Sequence, residues 1–248
     1  MKNFHFTLSA YDNLLKLALN AGYQFLAFDD PGRFDKNKVC LLRHDIDVDL
    51  GAALKLAEIE HKRGIRATYF VMLRSPVYNL FGRANTQLVH EILSMGHWLG
   101  LHYDDGFSSS NLSFEESVDM EASVLERMFS VKITSVSFHQ PSQRILNGKV
   151  KLNNRVNTYG KEDLRGYHYI SDSNKVWKHL TPFDIFRESR YSKVHLLIHP
   201  LWWADKDDLP TETLWEKGLL ANWYRTQEQL ISTERAYGKK RKFQILKA

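Results

Sequence analysis

One cysteine, Cys40, is all that the 248 residues contain. That excludes an intramolecular disulfide framework and any zinc site built from cysteine alone. Cys40 falls in the apolar run Val39-Cys40-Leu41-Leu42, where a thiol behaves as a small core hydrophobe, so any metal must be held by histidine and carboxylate. The lack of disulfides agrees with a reducing compartment. Long apolar runs are missing as well, and none approaches the roughly 18 residues of a membrane span. The N-terminal MKNFHFTLSAYDNLL has no apolar stretch followed by a small-residue cleavage site. Together these absences predict a cytoplasmic protein with no stable membrane insertion. Charge of one sign is weak, with a net +5, and basic residues cluster only in Lys239-Lys240-Arg241-Lys242. No nucleic-acid-binding motif accompanies that cluster, so it reads as a solvated tail and no nucleic-acid partner is expected. There is no internal repeat and no clear linker, which predicts a single domain over 1–248.

What is present is ordinary for a globular chain: 43% hydrophobic and 25% charged residues, at a length that buries a sizeable core unaided. Strand-length apolar runs alternate with helical patterns, which predicts an α/β fold of parallel strands joined by crossover helices. Helical spacing of Leu14, Leu15, Ala18 and Leu19 predicts a helix from Ser9 to Gly22. Further helices are expected over Gly51 to Lys62, Thr86 to Ser94, Ser113 to Phe129 and much of Glu212 to Ala236. The Ser113-Phe114-Glu115-Glu116 sequence forms a capping box at the start of the fourth. Strands are expected at Val39 to Arg43, Ala67 to Leu73, His97 to His102, Ile133 to Phe138, Tyr167 to Ser171 and Val194 to Ile198. Residues 142–166 are polar and read as a long loop over the site.

Polar clusters follow the C-terminal ends of five of these strands: Arg43-His44-Asp45-Ile46-Asp47, His102-Tyr103-Asp104-Asp105, Phe138-His139-Gln140-Pro141, Ser171-Asp172 and His199-Pro200. In parallel α/β folds that edge gathers ligands and catalytic groups. Asp45 and Asp47, two apart in extended chain, share a face. Two nearby anions are costly unless a cation joins them or one takes a proton, and a divalent ion resolves this with one carboxylate as ligand and the other as base. Read alone, the pair is somewhat more readily an acidic loop, with Asp49 extending it, because such carboxylates are common at helix starts. His102 beside carboxylates suits zinc or a related metal, whereas His97, an odd number of residues earlier, points to the opposite face and reads as structural. Asp172 either orients a histidine or arginine or caps its turn. Aromatic residues Tyr103, Phe107, Trp177, Trp202 and Trp203 lie in or just after the rim segments, where flat rings stack on sugars as readily as they fill a core. Trp202, Tyr103 and Asp172 are the candidate substrate-binding residues.

These motifs resemble the polysaccharide deacetylases of carbohydrate esterase family 4, the NodB-homology family. Asp45-Ile46-Asp47 looks like the Asp-x-Asp variant of its first motif, Gly96-His97-Trp98-Leu99-Gly100-Leu101-His102 like the approach to its second, and Leu197-Ile198-His199-Pro200 like its last. The resemblance spans Leu41 to Pro200, in the family's order, and implies a distorted (β/α) barrel of about seven parallel strands. It further implies that Asp45 is the general base, Asp47 and His102 are metal ligands, and His199 is the general acid. The cofactor implied is a divalent metal, zinc, and the activity implied is hydrolysis of the N-acetyl group of an N-acetylated sugar. Where the family places a second histidine, four residues after His102, this chain has Gly106. His139, Asp104 and Asp105 are the alternatives for that third ligand, with His139 preferred because imidazole suits zinc. Two other readings stand beside deacetylation: a metal-independent C–N hydrolase of a small cyclic amide or ureide, and a non-catalytic carbohydrate-binding protein on the same fold. A cytoplasmic deacetylase would act on a nucleotide-linked or lipid-linked sugar, or on a glycan still being built.

Overall fold

The computed structural model describes residues 5–107, 111–178, 180–205 and 208–237. The basic cluster at 239–242 lies outside them. The elements are α1 (Leu8–Asn20), β1 (Gln24–Phe25), β2 (Val39–Ile46), α2 (Leu50–Lys62), β3 (Thr68–Val71), α3 (Arg83–Ser94), β4 (Trp98–Asp104) and α4 (Phe114–Phe129). They continue with β5 (Ser135–His139), α5 (Gln143–Leu146), β6 (Val156–Asn157), β7 (His168–Ser171), α6 (Pro182–Glu188), β8 (Lys193–Ile198) and α7 (Thr211–Thr233). Seven strands lie in the order β6-β5-β4-β3-β2-β8-β7, and β1 pairs with the start of β2. Every pairing is parallel. The sheet curls into a half-barrel with helices around it, a distorted (β/α) barrel. Among the described residues β6 and β7, the two ends of this order, do not pair, which leaves a seam between them.

Local chemistry accounts for these elements. Asp49 caps α2, accepting from the Gly51 N–H at 3.0 Å. The expected capping box opens α4, with Ser113 and Glu116 bonding reciprocally, which satisfies two otherwise orphaned donors. All eight residues of β2 are buried, as expected for a parallel strand covered on both faces. On the outer face Cys40, Leu42 and Ile46 join the main core beneath the helices. On the inner face Val39 and Leu41 join Phe28 and Phe70 in a smaller cluster that plugs the barrel. Gly100, paired with Phe70, makes room for that plug, since a Cβ there would sit 2.4 Å from the Phe70 ring. Among the described residues no helix is long and apolar enough to cross a membrane.

The expected boundaries shift by a few residues. β2 runs on to Ile46, α3 begins at Arg83, and β3 is confined to Thr68–Val71. Residues 142–166 are not one loop: they hold α5 and β6, elements too short to leave a periodic signal. β1 and α6 were likewise not expected.

Candidate active site

The C-terminal ends of β2, β4, β5, β7 and β8 bring Asp45, Asp47, His102, His139, Asp172 and His199 to one rim. Register explains the convergence. His102 lies opposite Ser137, and Asp104 opposite His139, so alternate residues of β4 and β5 face inward together with Arg43 and Asp45 of β2.

Asp47, His102 and His139 offer one ligand atom each, all within 4.8 Å of one another. The Asp47 Oδ1 lies 3.0 Å from His102 Nε2 and 3.2 Å from His139 Nδ1. One carboxylate and two imidazoles form a donor set suited to zinc. His102 Nδ1 is 2.6 Å from Ser137 Oγ, and the Ser137 hydroxyl donates to Asp45 Oδ1 at 3.3 Å. With Nδ1–H donating into that relay, the Nε2 lone pair faces Asp47, an arrangement that a cation between them satisfies. The three residues therefore fit a divalent metal. Asp104 and Asp105 are used elsewhere: Asp104 accepts from the Gly106 N–H at 3.1 Å and Asp105 from the Ser142 N–H at 2.5 Å.

Asp45 is buried and gripped by Arg43, whose Nε donates to Oδ1 at 2.7 Å and Nη2 to Oδ2 at 2.5 Å. Burial pushes the Asp45 carboxyl up, but the guanidinium outweighs it and holds the group below the usual carboxylate range. Burial likewise works against Asp47, and the two imidazoles beside it outweigh burial, again lowering it. Arg43 itself is fully buried and anchored across the barrel by Thr158 Oγ1 at 3.0 Å and the Tyr159 hydroxyl at 3.2 Å.

His199 Nδ1 lies 2.6 Å from Asp172 Oδ1, and its Nε2 points back toward Asp47 Oδ2 at 4.0 Å. Burial alone would lower the imidazole, yet Asp172 outweighs it and raises His199 to about 9. Asp172 also accepts from the His199 N–H at 2.9 Å and from the Trp203 indole at 3.0 Å. It is completely buried. Asp172 is thus turned to holding His199, not to contacting substrate, which corrects one expectation.

Tyr103 is a second correction. Neighbouring residues on a strand face opposite ways, so Tyr103 points into the helix layer, donating to Ser117 Oγ at 2.9 Å and packed against Phe114 and Phe138. Trp202, by contrast, lines a small cleft with Asp45, Asp47 and His199, and Trp215 of α7 forms another wall. Trp203 and Trp177 pack on Phe6 in the core, and Phe107 lies beneath Arg74.

His97 faces the helices, as strand parity predicts. The Ala67 N–H donates to its Nδ1 at 3.2 Å and its Nε2 lies 3.1 Å from the Ala57 carbonyl. It borders a buried cluster in which Glu60 bonds His44 at 2.6 Å, Tyr69 at 2.8 Å and Tyr11.

Arg43, Ser137, Thr158, Tyr159 and Trp215 were not singled out from the sequence. Arg43 shares the strand parity of Asp45, the one signal that points to it. The others depend on contacts across the barrel or on α7 and leave no local mark.

No protein-family model and no curated protein matches this sequence. Solved structures similar in fold include the Streptococcus pyogenes deacetylase PplD in complex with acetate, at 16% identity and a TM-score of 0.47 over 75% of this chain and 86% of that one. A family 4 carbohydrate esterase from Bacillus anthracis matches at 14% identity and a TM-score of 0.41, over 86% of each chain. A mutant of BA3943, described as a CE4 family pseudoenzyme with restored enzymatic activity, matches at 17% identity and 0.42, over 79% of this chain and 64% of that one.

Proposed function

We propose that this protein is a metal-dependent deacetylase that hydrolyses the N-acetyl group of an N-acetylated sugar. The observation that carries the reading is the meeting, at one rim, of a metal-type trio with a buried carboxylate and a histidine held by its own carboxylate. Asp47, His102 and His139 would hold the cation, for which zinc suits the donor set. When bound, such a cation polarises a carbonyl and acidifies water.

The chain's own groups supply the proton transfers. An ionised carboxylate offers about four acceptor positions, and Asp45 has three filled, two by Arg43 and one by Ser137. The remaining position on Oδ2 accepts a proton from the attacking water, while Arg43 fixes the orientation. His199, with its pKa raised to about 9, is protonated at neutral pH and donates to the departing sugar amine. Asp172 keeps the imidazole in place as it cycles between charge states. Trp215, which is 39% exposed and lines the same cleft beside the buried Trp202, offers a ring face for a sugar.

The test is release of acetate from N-acetylated glucosamine oligosaccharides by zinc-loaded protein. Release that is lost in His199→Ala and Asp45→Asn supports the reading. Equal release from metal-stripped protein would favour a metal-independent C–N hydrolase, and glycan binding with no acetate would favour a binding protein.

A further inference from the structure

The seam of the half-barrel holds a cavity that this chemistry does not use. It has a volume of about 550 Å³ and runs along the edge of β7 at Tyr169, Ile170 and Ser171, faced by Leu146, Tyr159 and Leu180. That volume is in the range of small-molecule sites. The wall is mostly hydrocarbon and aromatic ring, with the exposed Lys178 beside it, and several of its hydroxyls are already engaged. The Ser171 and Ser173 hydroxyls bond each other at 2.5 Å. The Tyr159 hydroxyl accepts from Arg43, and the His168 ring lies flat on Tyr191 with centroids 3.7 Å apart. Along the Leu146, Ile170 and Leu180 wall sugar hydroxyls would lose water with few partners to gain, whereas a hydrocarbon chain gains by leaving water.

The cavity lies beside the candidate active site, from which two of its own walls separate it. Tyr159 touches Arg43, which grips Asp45. Ser171 immediately precedes Asp172, which holds His199. Pro141, two residues after His139, is a third wall, so a chain lying in the seam ends close to whatever sits at the rim.

We infer that this cavity binds a linear hydrocarbon chain carried by the substrate. The inference deepens the deacetylase reading and rests on it for the identity of the molecule that bears the chain. The chain has two sources, an aglycone linked to the sugar or an acyl group longer than acetyl on its nitrogen.

Binding and turnover separate the possibilities. Methyl and octyl β-glucosides, neither carrying an acetyl group, are titrated calorimetrically below the octyl compound's micelle concentration. Each buried methylene multiplies affinity by about three to four, so octyl is expected to bind at least tenfold tighter than methyl, even with part of the chain in solvent. Leu146→Asp is the paired variant, because Leu146 is 47% exposed and tolerates a charge without unfolding the chain. It should erase the octyl advantage and leave acetate release from the methyl N-acetylglucosaminide unchanged. In turnover, a rise in kcat/KM from methyl to octyl N-acetylglucosaminide assigns the chain to the aglycone, and preference for N-octanoyl over N-acetyl glucosamine assigns it to the acyl group. Octyl binding without any turnover would support the cavity and overturn the deacetylase reading. Equal affinity for methyl and octyl, or an octyl advantage that survives Leu146→Asp, would overturn the cavity assignment itself.

Discussion

Replacing Arg43 with methionine should destabilise the protein far more than its position within a strand suggests. Arg43 and Asp45 are buried together and joined by two hydrogen bonds of 2.7 and 2.5 Å. Without the guanidinium, Asp45 retains Ser137 Oγ at 3.3 Å and His102 Nδ1 at 3.7 Å, too little for a carboxylate that is 3% exposed. Leaving one partner of a buried pair uncompensated costs about 3–5 kcal/mol. The lost bond to Thr158 and the ring contact with Phe70 add to that. An Arg43→Met/Asp45→Asn double variant carries no stranded charge, so the two substitutions should couple favourably by about 1–3 kcal/mol. The pH dependence has a definite sign. In the native chain Asp45 is held below its ordinary value, so its contribution is present above the unfolded pKa of about 4 and lost as pH falls through the folded value. In Arg43→Met, burial raises Asp45 instead, and the penalty applies above about pH 4 and eases in acid. Urea unfolding of the three variants at neutral and acid pH, with m-values compared, measures all of this. Arg43→Met within about 1 kcal/mol of native at pH 7, or singles that add without coupling, would refute the argument.

Two other sites give sharp expectations. Ser137→Ala removes the acceptor for His102 Nδ1 and the donor to Asp45, and should weaken zinc binding by about 10- to 100-fold in a competition titration, with little loss of fold. Asp172→Asn removes the charge that raises His199 to about 9, so the imidazole should titrate nearer to about 6.5, read from its NMR shift in metal-free protein. Because a raised histidine stabilises the fold below its unfolded pKa and loses that contribution as pH rises through the folded one, native stability should decline between about 6.5 and 9. In Asp172→Asn that decline should largely vanish.

The two periodicities that the sequence displays account for what was legible in it. Strand parity paired Asp45 with Asp47 and turned His97 away, and the strand-end positions of His102, His139 and His199 put them on one edge. The same parity, applied to Tyr103 beside His102, sends its ring into the helices, where it bonds Ser117. Asp172 could be seen as an orienting group or a cap, and only the packing of β7 beside β8 shows that it grips His199. Arg43 could not be assigned because Thr158 and Tyr159 arrive from the far side of the barrel. They follow β6, which spans Val156–Asn157 and is too short for any alternation to register. Trp215 lies on α7, whose two tryptophans look alike until the helix is docked. Gly218 permits that docking, since a Cβ there would meet Val48 at 2.7 Å.

Metal content shows whether Asp47, His102 and His139 together bind a divalent metal. Purified protein is stripped, reloaded with zinc, dialysed and subjected to elemental analysis beside Asp47→Ala, His102→Ala, His139→Ala and Asp104→Ala. About one zinc per chain is expected, as for a three-ligand site, lost sharply in the first three variants and retained in the fourth. A chain that takes up no metal, or one that keeps zinc without His139 and loses it without Asp104, would contradict it.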